Sequence, residues 1–468
     1  MRHRFAPVQA GFGSFAAALY LILAGVAAVP ASAQFDGADD LAAVAAFDLD
    51  SAATDLASSC LALADGGIIL AGSASDDDGE TVKIALAKFL PGGGLDPGFG
   101  SSGMVVIDQS DLGFSFTAAA ASAVAQQGDR IVVAGYRNDP VGSLFQPFLL
   151  RLLPNGAIDT AFGSNGWILP THIRSVVDME VSASTLDIWL VGPEADAADG
   201  RYWLLKFDST ETELFASFVY FGEDGNLQDL KLQPDGKALL VGYMDLDGGP
   251  GFRFGPALLR RLVDGNPDPS IGMGTGGWVY DFGASRLGRS VGVRPSGLLV
   301  LQGTFGAFAA EDLFVSWLAL DGQVDPAIGT HTVGFNLGGT GGDGTLGVSQ
   351  MVVQSDGKVV VAARALTGGN PSNWADIGVA RFGAAGGLDS SFGGAGTGKR
   401  TFELWTPGSD GDDFDTCLTL AGGKPLIAGF SHIGANNWDF ALKRLTSALI
   451  FTDGFEQGSV AFWSAAVP

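Results

Sequence analysis

Short apolar runs recur along this chain at a nearly constant spacing, and six of the seven end in glycine. From Gly72, at the end of the first run, to Gly429, at the end of the seventh, there are 357 residues in six steps, a mean period of 59.5 residues. A repeat on this scale predicts one supersecondary unit used seven times. The runs occupy residues 68–72, 131–135, 189–192, 239–242, 300–303, 359–363 and 426–429.

Each unit divides into four runs of strand length. In unit 2, the apolar run 119–125 precedes a Gly-Asp turn and the run 131–135, and a variable loop leads to 148–152 and a fourth run from residue 166. Gly, Asp, Asn and Pro separate these runs, as is typical of an antiparallel meander. Seven such units predict an all-β fold, a seven-bladed β-propeller of four-stranded antiparallel blades. The alternative is an open solenoid, although solenoids with strands usually repeat every 20 to 30 residues or so.

The two ends of the repeat region predict how the ring closes. Unit 7 supplies three runs and lacks the fourth, while an apolar run at 42–49 precedes unit 1, so we expect this N-terminal strand to complete blade 7. Cys60 and Cys417 each lie twelve residues before the glycine of their unit. A closed ring makes them neighbours, and an exported protein permits a disulfide between them. Two buried free thiols are the alternative.

Three motifs recur beside the apolar runs. The preceding turn reads Gln-Pro-Asp-Gly-Lys at 233–237, and an Asp-x-x-Phe-Gly element follows the third run at 96–100, 159–163 and 389–393; units 3 and 5 are the most degraded. These motifs resemble the delta-60 repeat family of exported bacterial proteins over roughly residues 50–445. The resemblance implies a β-propeller-like repeat scaffold and no particular activity. The ending Asp-Gly-Phe-Glu-x-Gly with a later Trp, at 453–463, resembles a tail found on secreted proteins of some proteobacteria.

The N-terminus has the pattern of a secretory signal peptide. Arg2 and Arg4 precede an apolar stretch from about residue 12 to residue 29 and the small residues Ala-Ser-Ala at 31–33. We therefore divide the chain into a signal peptide (1–33), the propeller (34–446) and a C-terminal tail (447–468). We expect export to the periplasm, the cell surface or the exterior. No later segment is long and apolar enough to cross a bilayer, so we expect no transmembrane span in the mature chain.

Charge narrows the range of partners. Beyond residue 33 the chain carries 24 basic and 51 acidic side chains, a net charge of −27. Such a surface repels phosphate backbones, so we expect no nucleic-acid partner. We expect a monomer whose partner is an unknown protein or polysaccharide. Acidic clusters at 76–80, 245–248 and 410–415 offer oxygen ligands for calcium, with solvated turn acids as the alternative. No other cofactor is expected.

Basic residues near the end of the third run recur in most units. A residue present in nearly every blade cannot mark one active site, so we expect these side chains to pair with acids such as Asp159 and Asp389. The sequence also contains no Gly-x-Ser-x-Gly elbow, and no catalytic residue is assigned. The recurrent basic residues are Lys88, Arg151, Lys206, Arg261, Arg381 and Arg444.

Three tryptophans, Trp203, Trp374 and Trp438, fall near the loop before the third run of units 3, 6 and 7. Aromatic rings on one face can stack on sugars; the alternative is that each tryptophan caps the core of its blade. The leading hypothesis is an exported, non-catalytic binding or scaffolding propeller. A polysaccharide hydrolase or lyase with a site in the central funnel is the second, and a structural surface protein is the third. Unique polar residues clustered in the channel would favour the enzyme, and an evenly repetitive channel would favour the scaffold.

Overall fold

Seven antiparallel sheets, six of four strands and one of five, surround a central channel in the computed structural model. The fold is the predicted all-β seven-bladed propeller. Helical segments are short, as in α1 (Gln109–Leu112) and a 3-10 turn (Gly272–Gly274). The structure describes residues 34–35, 41–47, 49, 54–75, 82–112, 116, 118–138, 145–195, 200–222, 224–248, 253–307, 310–335, 350–366, 375–393, 396–402, 404, 413–432 and 438–445.

Blades 1 to 4 each place their first strand against the channel and their fourth at the outside. Blade 1 consists of β3 (Asp55–Ala62), β4 (Ile68–Ser75), β5 (Val82–Phe89) and β6 (Met104–Ile107). Blade 2 consists of β7 (Ala119–Gln127), β8 (Arg130–Asn138), β9 (Phe145–Leu152) and β10 (Trp167–Ile168). Blade 3 consists of β11 (Asp178–Val181), β12 (Ile188–Pro193), β13 (Arg201–Phe207) and β14 (Glu213–Tyr220). Blade 4 consists of β15 (Asn226–Leu232), β16 (Ala238–Asp245), β17 (Phe254–Arg261) and β18 (Gly277–Val279).

Blades 5 and 6 follow the same order, and blade 7 takes strands from both ends of the repeat region. Blade 5 consists of β19 (Arg286–Val293), β20 (Leu299–Ala307), β21 (Ala310–Leu318) and β22 (Thr330–Val333). Blade 6 consists of β23 (Gln350–Val353), β24 (Val359–Leu366), β25 (Ala375–Phe382) and β26 (Lys399–Phe402). Blade 7 consists of β27 (Asp413–Ala421), β28 (Lys424–His432), β29 (Trp438–Arg444), β2 (Leu41–Ala45) and β1 (Gln34–Phe35).

The glycine that ends the apolar run in blades 1 to 5 is required by a close approach between strands. The inner strand β3 has a β-bulge between Ala57 and Ser59, opposite Gly72. A Cβ atom added to Gly72 would lie 1.9 Å from the backbone oxygen of Leu56, so only glycine fits there. The same approach, at 1.9 to 2.1 Å, occurs at the corresponding glycines of blades 2 to 5, which are Gly135, Gly192, Gly242 and Gly303.

The hydrophobic core lies between the blades. The second strand of a blade packs on both neighbours, and all eight residues of β4 are buried. Alternate residues of that strand point to opposite neighbours: Ile68 and Leu70 pack with blade 7, whereas Ile69 and Ala71 pack with blade 2. The buried residues form seven clusters, one at each blade interface, which is the arrangement of a closed ring.

The ring closes through the N-terminal strand, as predicted. Strand β2 pairs antiparallel with β29, from Leu41 opposite Arg444 to Ala45 opposite Phe440, and supplies the missing fourth strand of blade 7. The two-residue strand β1 extends the blade by one further strand, which the repeat pattern does not predict.

A disulfide joins Cys60 and Cys417 at the same interface, with Cα atoms 5.7 Å apart. Counting back from the glycines predicts that the two cysteines occupy equal positions in their units. The registers of the β3–β4 and β27–β28 pairs, however, differ by one residue pair. Cys60 faces Leu70, two residues before its glycine, and Cys417 faces Ala428, one residue before its glycine. The hairpin turn at 422–423 is one residue shorter than the turn at 64–66, which shifts the register by one pair.

The expected signal peptide (1–33) and C-terminal tail (447–468) lie outside the described residues. Within the part of the chain that is described, no helix is both long and apolar enough to span a membrane.

Candidate functional site

Most of the recurrent basic residues form an ion pair with an aspartate of their own blade. In blade 6, Arg381 Nε lies 2.9 Å from Asp389 Oδ2, and Lys358 Nζ lies 3.3 Å from the same oxygen. Although burial opposes ionisation, hydrogen bonds from Ser391 and the charge of Arg381 lower the pKa of Asp389 to about 2. The network joins the turn lysine, the third-strand arginine and the Asp-x-x-Phe-Gly aspartate, so these motif residues hold the blade together. Blade 2 repeats the arginine contact between Arg151 and Asp159.

In blade 4 the network uses Arg260, and the assignment of Arg261 to the recurrent position is wrong. Arg260 Nε lies 2.8 Å from Asp268 Oδ2. Arg261 faces Ala238, is only 7% exposed, and has no hydrogen-bond partner for its Nε atom. Burial lowers the pKa of Arg261. At the same register position the other blades carry an apolar residue, such as Phe89, Leu152, Phe207, Leu318 and Phe382.

The two candidate tryptophans that the structure describes lie in different blades, and their grouping on one ligand face stays a prediction. Trp203 is in β13 of blade 3 and Trp438 begins β29 of blade 7, so at least two blades separate them. Trp438 packs edge to face on Phe430, with ring centroids 5.5 Å apart. Trp374 lies outside the described residues.

The central channel has a volume of about 1660 Å³ and is lined by the inner strands of all seven blades. Blades 1, 2, 6 and 7 contribute uncharged residues to the described wall. All of its charged side chains come from blades 3, 4 and 5, so the charge is confined to one side. These charged residues are Asp178, Glu180, Asp229, Lys231, Asp235, Arg289 and Arg294.

Two channel aspartates bind the backbone of the next blade. Asp178 Oδ2 accepts the N–H of Leu230 at 3.0 Å, and Asp229 Oδ2 accepts the N–H of Val291 at 2.8 Å. Ser290 Oγ also donates to Asp229 Oδ2, at 2.9 Å. Both carboxylates therefore hold neighbouring inner strands in register.

Three other blade interfaces have a contact at the same position of the inner strand. In blade 1, Ser59 Oγ accepts the N–H of Val124 at 3.3 Å, and in blade 6 the Gln350 side chain accepts the N–H of Leu418. At the junction of blades 7 and 1 the disulfide occupies this place. The inner ring is thus held by a polar contact in blades 1, 3, 4 and 6 and by a covalent bond in blade 7.

The remaining charges in the middle of the channel are also paired across blades. Glu180 forms an ion pair with Lys231, and Arg289 Nη1 donates to Gln228 Oε1 at 2.9 Å. The charge of Glu180 raises the pKa of Lys231, even though the lysine side chain is 47% exposed to the channel. Burial, reinforced by repulsion from Asp229 and Glu180, raises the pKa of Asp178 well above its ordinary value.

A second surface lies on the outside of blade 3. We define the blade-3 aromatic surface as Trp203, Phe218 and Tyr220; the two β14 residues are 46% and 47% exposed. Trp203 faces Phe218 across the β13–β14 pair. The fourth strand of blade 3 has eight residues, whereas its counterpart β10 in blade 2 has two.

Polar groups surround and orient this surface. Trp203 Nε1 donates to Glu194 Oε1 at 3.1 Å, and the His172 ring lies 5.1 Å from the Trp203 ring. Glu194 also lies 3.6 Å from Arg201, and His172 lies 3.3 Å from Glu213. The sequence pattern identified Trp203 but missed Phe218 and Tyr220, because unit 3 has no Asp-x-x-Phe-Gly element to mark its fourth strand.

Within the described ranges, no group of three or more His, Cys, Asp or Glu side chains could hold a metal ion. In the cluster 245–248, Asp245 accepts the N–H groups of Asp247 and Gly248, and Asp247 pairs with Arg253. Residues 76–80 and the side chains of 410–415 lie outside the description. The calcium hypothesis stays a prediction.

The repeats match a known family model in three places. Residues 63–99, 127–162 and 354–392 match the model described as a domain of unknown function (DUF5122) beta-propeller. The fold and these matches define the protein as a β-propeller repeat protein. No curated protein matches the chain.

Several solved structures have a similar fold. A polysaccharide lyase, Uly1, is 11% identical, with 84% of this chain and 90% of that chain covered and a TM-score of 0.49. The β-propeller domain of the Trilobed protease from Pyrococcus furiosus is 9% identical, with 86% and 97% covered and a TM-score of 0.45. An endo-arabinase from Bacteroides thetaiotaomicron is 11% identical, with 57% and 92% covered and a TM-score of 0.34. Similarity at this level carries no argument about the activity of this chain.

Proposed function

We propose that this protein is an exported, non-catalytic binding propeller whose ligand contacts lie on the outside of the ring. The observation that supports this most directly is the use of the channel charges. Asp178 and Asp229 accept backbone N–H groups of the next blade, and Glu180 pairs with Lys231. Export is inferred from the signal-peptide pattern at residues 1–33.

A general acid or base must reach the proton that it transfers. Here the channel carboxylates face the backbone or a cation of the adjacent blade, which fits a structural role. The variable loops and the outer strands differ from unit to unit, and such positions on a rigid scaffold commonly carry binding contacts. The ligand class of the proposal is a protein or a polysaccharide outside the cytoplasm.

One observation favours a second candidate, a polysaccharide hydrolase or lyase with its site in the channel. The charged residues form a unique cluster on three adjacent blades, inside a cavity of about 1660 Å³. The raised pKa of Asp178 is the property that a carboxyl group acting as a general acid needs. Asp229 and Lys231 would then be its neighbours in the site.

The two candidates can be separated with the purified full-length protein. We would incubate it with cell-wall and exopolysaccharide fractions, with and without calcium, and measure both retained protein and released sugar. Binding predicts retention without sugar release. Glu180→Gln, which breaks the ion pair with Lys231, should then lower the melting temperature and leave retention unchanged.

Sugar release by the wild-type protein would overturn the proposal and support the enzyme. Absence of retention on every fraction would also overturn it. Retention that depends on calcium would support the binding function and would show that calcium takes part in it.

A further inference from the structure

We propose that the blade-3 aromatic surface is a binding site for a neutral polysaccharide. The inference rests on the binding function proposed above and names its ligand class and contact residues. The observation behind it is a pair of exposed, nearly parallel aromatic rings with polar groups around them.

Phe218 and Tyr220 are two residues apart on β14, so their side chains project from the same face of the strand. Their ring centroids lie 6.5 Å apart and their planes differ by 13°. A pyranose ring has a face of C–H groups that can lie against the electron-rich face of an aromatic ring. Two parallel rings in a row suit a linear polymer of such sugars.

The aromatic rings are held in place before any ligand arrives. Trp203 packs edge to face on Phe218, with centroids 5.7 Å apart and an angle of 69°. The hydrogen bond from Trp203 to Glu194 fixes the orientation of the indole ring. A rigid surface loses little conformational entropy on binding, which favours affinity.

The polar rim matches the hydroxyl groups at the edge of a sugar ring. Arg201, with a side chain 55% exposed, is directly opposite Tyr220 in the strand pair and can donate hydrogen bonds. Glu213 and Glu194 can accept them. The net charge of −25 and the nearby carboxylates disfavour an anionic polymer, so the expected ligand is neutral.

The surface is open because neighbouring blades differ in the length of their fourth strand. Two-residue β10 of blade 2 cannot cover the face of eight-residue β14. The outer edge of β14 pairs with no strand of the described chain, so edge pairing between two copies of the protein is the competing occupant.

The test uses full-length protein and three neutral probes: soluble β-glucan, xylan and insoluble cellulose. The main variant is Phe218→Leu with Tyr220→Leu, which keeps apolar area but removes both aromatic rings. The conservative variant, Phe218→Tyr with Tyr220→Phe, keeps both rings. Leu388→Ala, at a 40% exposed leucine of blade 6, is the control for general apolar binding.

The expected result is binding of at least one probe by the wild type, weakened about tenfold or more in the leucine variant. The ring-exchange variant and Leu388→Ala should bind like the wild type. Thermal melting of each variant checks that the fold is kept, and sedimentation over a range of concentrations measures self-association.

Undiminished retention by the leucine variant would overturn this site while leaving the binding function intact. Failure of all three probes, with retention only on a protein or anionic fraction, would overturn the neutral-polysaccharide ligand. A dimer that persists in the leucine variant, with no sugar binding by the wild type, would assign the β14 edge to self-association instead.

Discussion

The disulfide between Cys60 and Cys417 should contribute more to the stability of the ring than any single contact between its inner strands. It joins residues 357 apart in sequence, so its reduction frees almost the whole propeller in the unfolded state. The perturbation is reduction of the wild-type protein, or the double substitution Cys60→Ala with Cys417→Ala.

The magnitude follows from the length of the closed loop. For a separation of 357 residues the chain-entropy relation gives a loss of about 20 cal/mol/K in the unfolded chain, or about 6 kcal/mol at 25 °C. The hydrogen bond from Val124 to Ser59, which occupies the corresponding place between blades 1 and 2, should contribute about 1 kcal/mol. With an unfolding entropy near 2.1 cal/mol/K per residue over about 400 residues, 6 kcal/mol corresponds to ~7 °C in melting temperature.

The assay has two parts. Thiol counting under denaturing conditions, with and without reductant, establishes the state of the cysteines. Urea unfolding then compares the oxidised, reduced and doubly substituted proteins. We expect a lower midpoint and a larger m-value after reduction, because the unfolded chain without its cross-link exposes more surface. Ser59→Ala in the oxidised protein is the matched control.

Equal unfolding free energies for fully oxidised and fully reduced protein would refute this reasoning. That result would mean that the pairing of β2 with β29 already closes the ring and that loop entropy does not limit its stability. Two reactive thiols without reductant would show that the bond is not formed.

Three further predictions test the blades themselves. Arg261→Leu should leave the free energy of unfolding unchanged or raise it by about 1 kcal/mol, whereas Arg260→Leu should lower it by about 3 kcal/mol. The difference is expected because only Arg260 has a carboxylate partner. Equal effects of the two substitutions in urea unfolding would contradict this. Asp389→Asn should cost about 2 kcal/mol at neutral pH, since its pKa falls from 3.8 to about 2 on folding. This contribution is present above about pH 4 and is lost as the pH falls through 2, so a difference from wild type that stays constant down to pH 2 would count against it. Gly242→Ala should cost about 3 kcal/mol, because its Cβ would lie 1.9 Å from a backbone oxygen, while Gly94→Ala, with open space around it, should melt like the wild type.

The ring could be predicted because its requirements are repeated seven times. Gly72, Gly135, Gly242 and Gly303 mark the point where the inner strand bulges against the second strand, so backbone sterics fix their spacing. The run at 42–49 could be placed in blade 7 because unit 7, the last of the repeats, supplies three runs and this run precedes unit 1. These inferences needed only the order of elements along the chain, without any side-chain contact.

The site residues depend on register, which the sequence pattern does not determine. The doublet Arg260-Arg261 fits the recurrent position in two ways, and only the pairing of β16 with β17 shows that Arg260 faces Leu239 and reaches Asp268. Similarly, Asp178 and Asp229 are 51 residues apart, and their proximity arises from the alignment of inner strands in neighbouring blades.

Blade 3 departs from the common repeat, and both candidate surfaces include it. Residues that recur in several units, such as Asp389 and Arg381, hold the strands of their own blades together. A function that belongs to the whole protein must therefore come from positions where one unit differs. Blade 3 lacks the Asp-x-x-Phe-Gly element, has a long outer strand that presents Phe218 and Tyr220, and supplies Asp178 and Glu180 to the channel. Without the motif, the fourth strand of blade 3 extends over eight residues and leaves Phe218 and Tyr220 46% and 47% exposed. This is why the outer face of blade 3, and not a repeated motif, is the place where a ligand should be sought first.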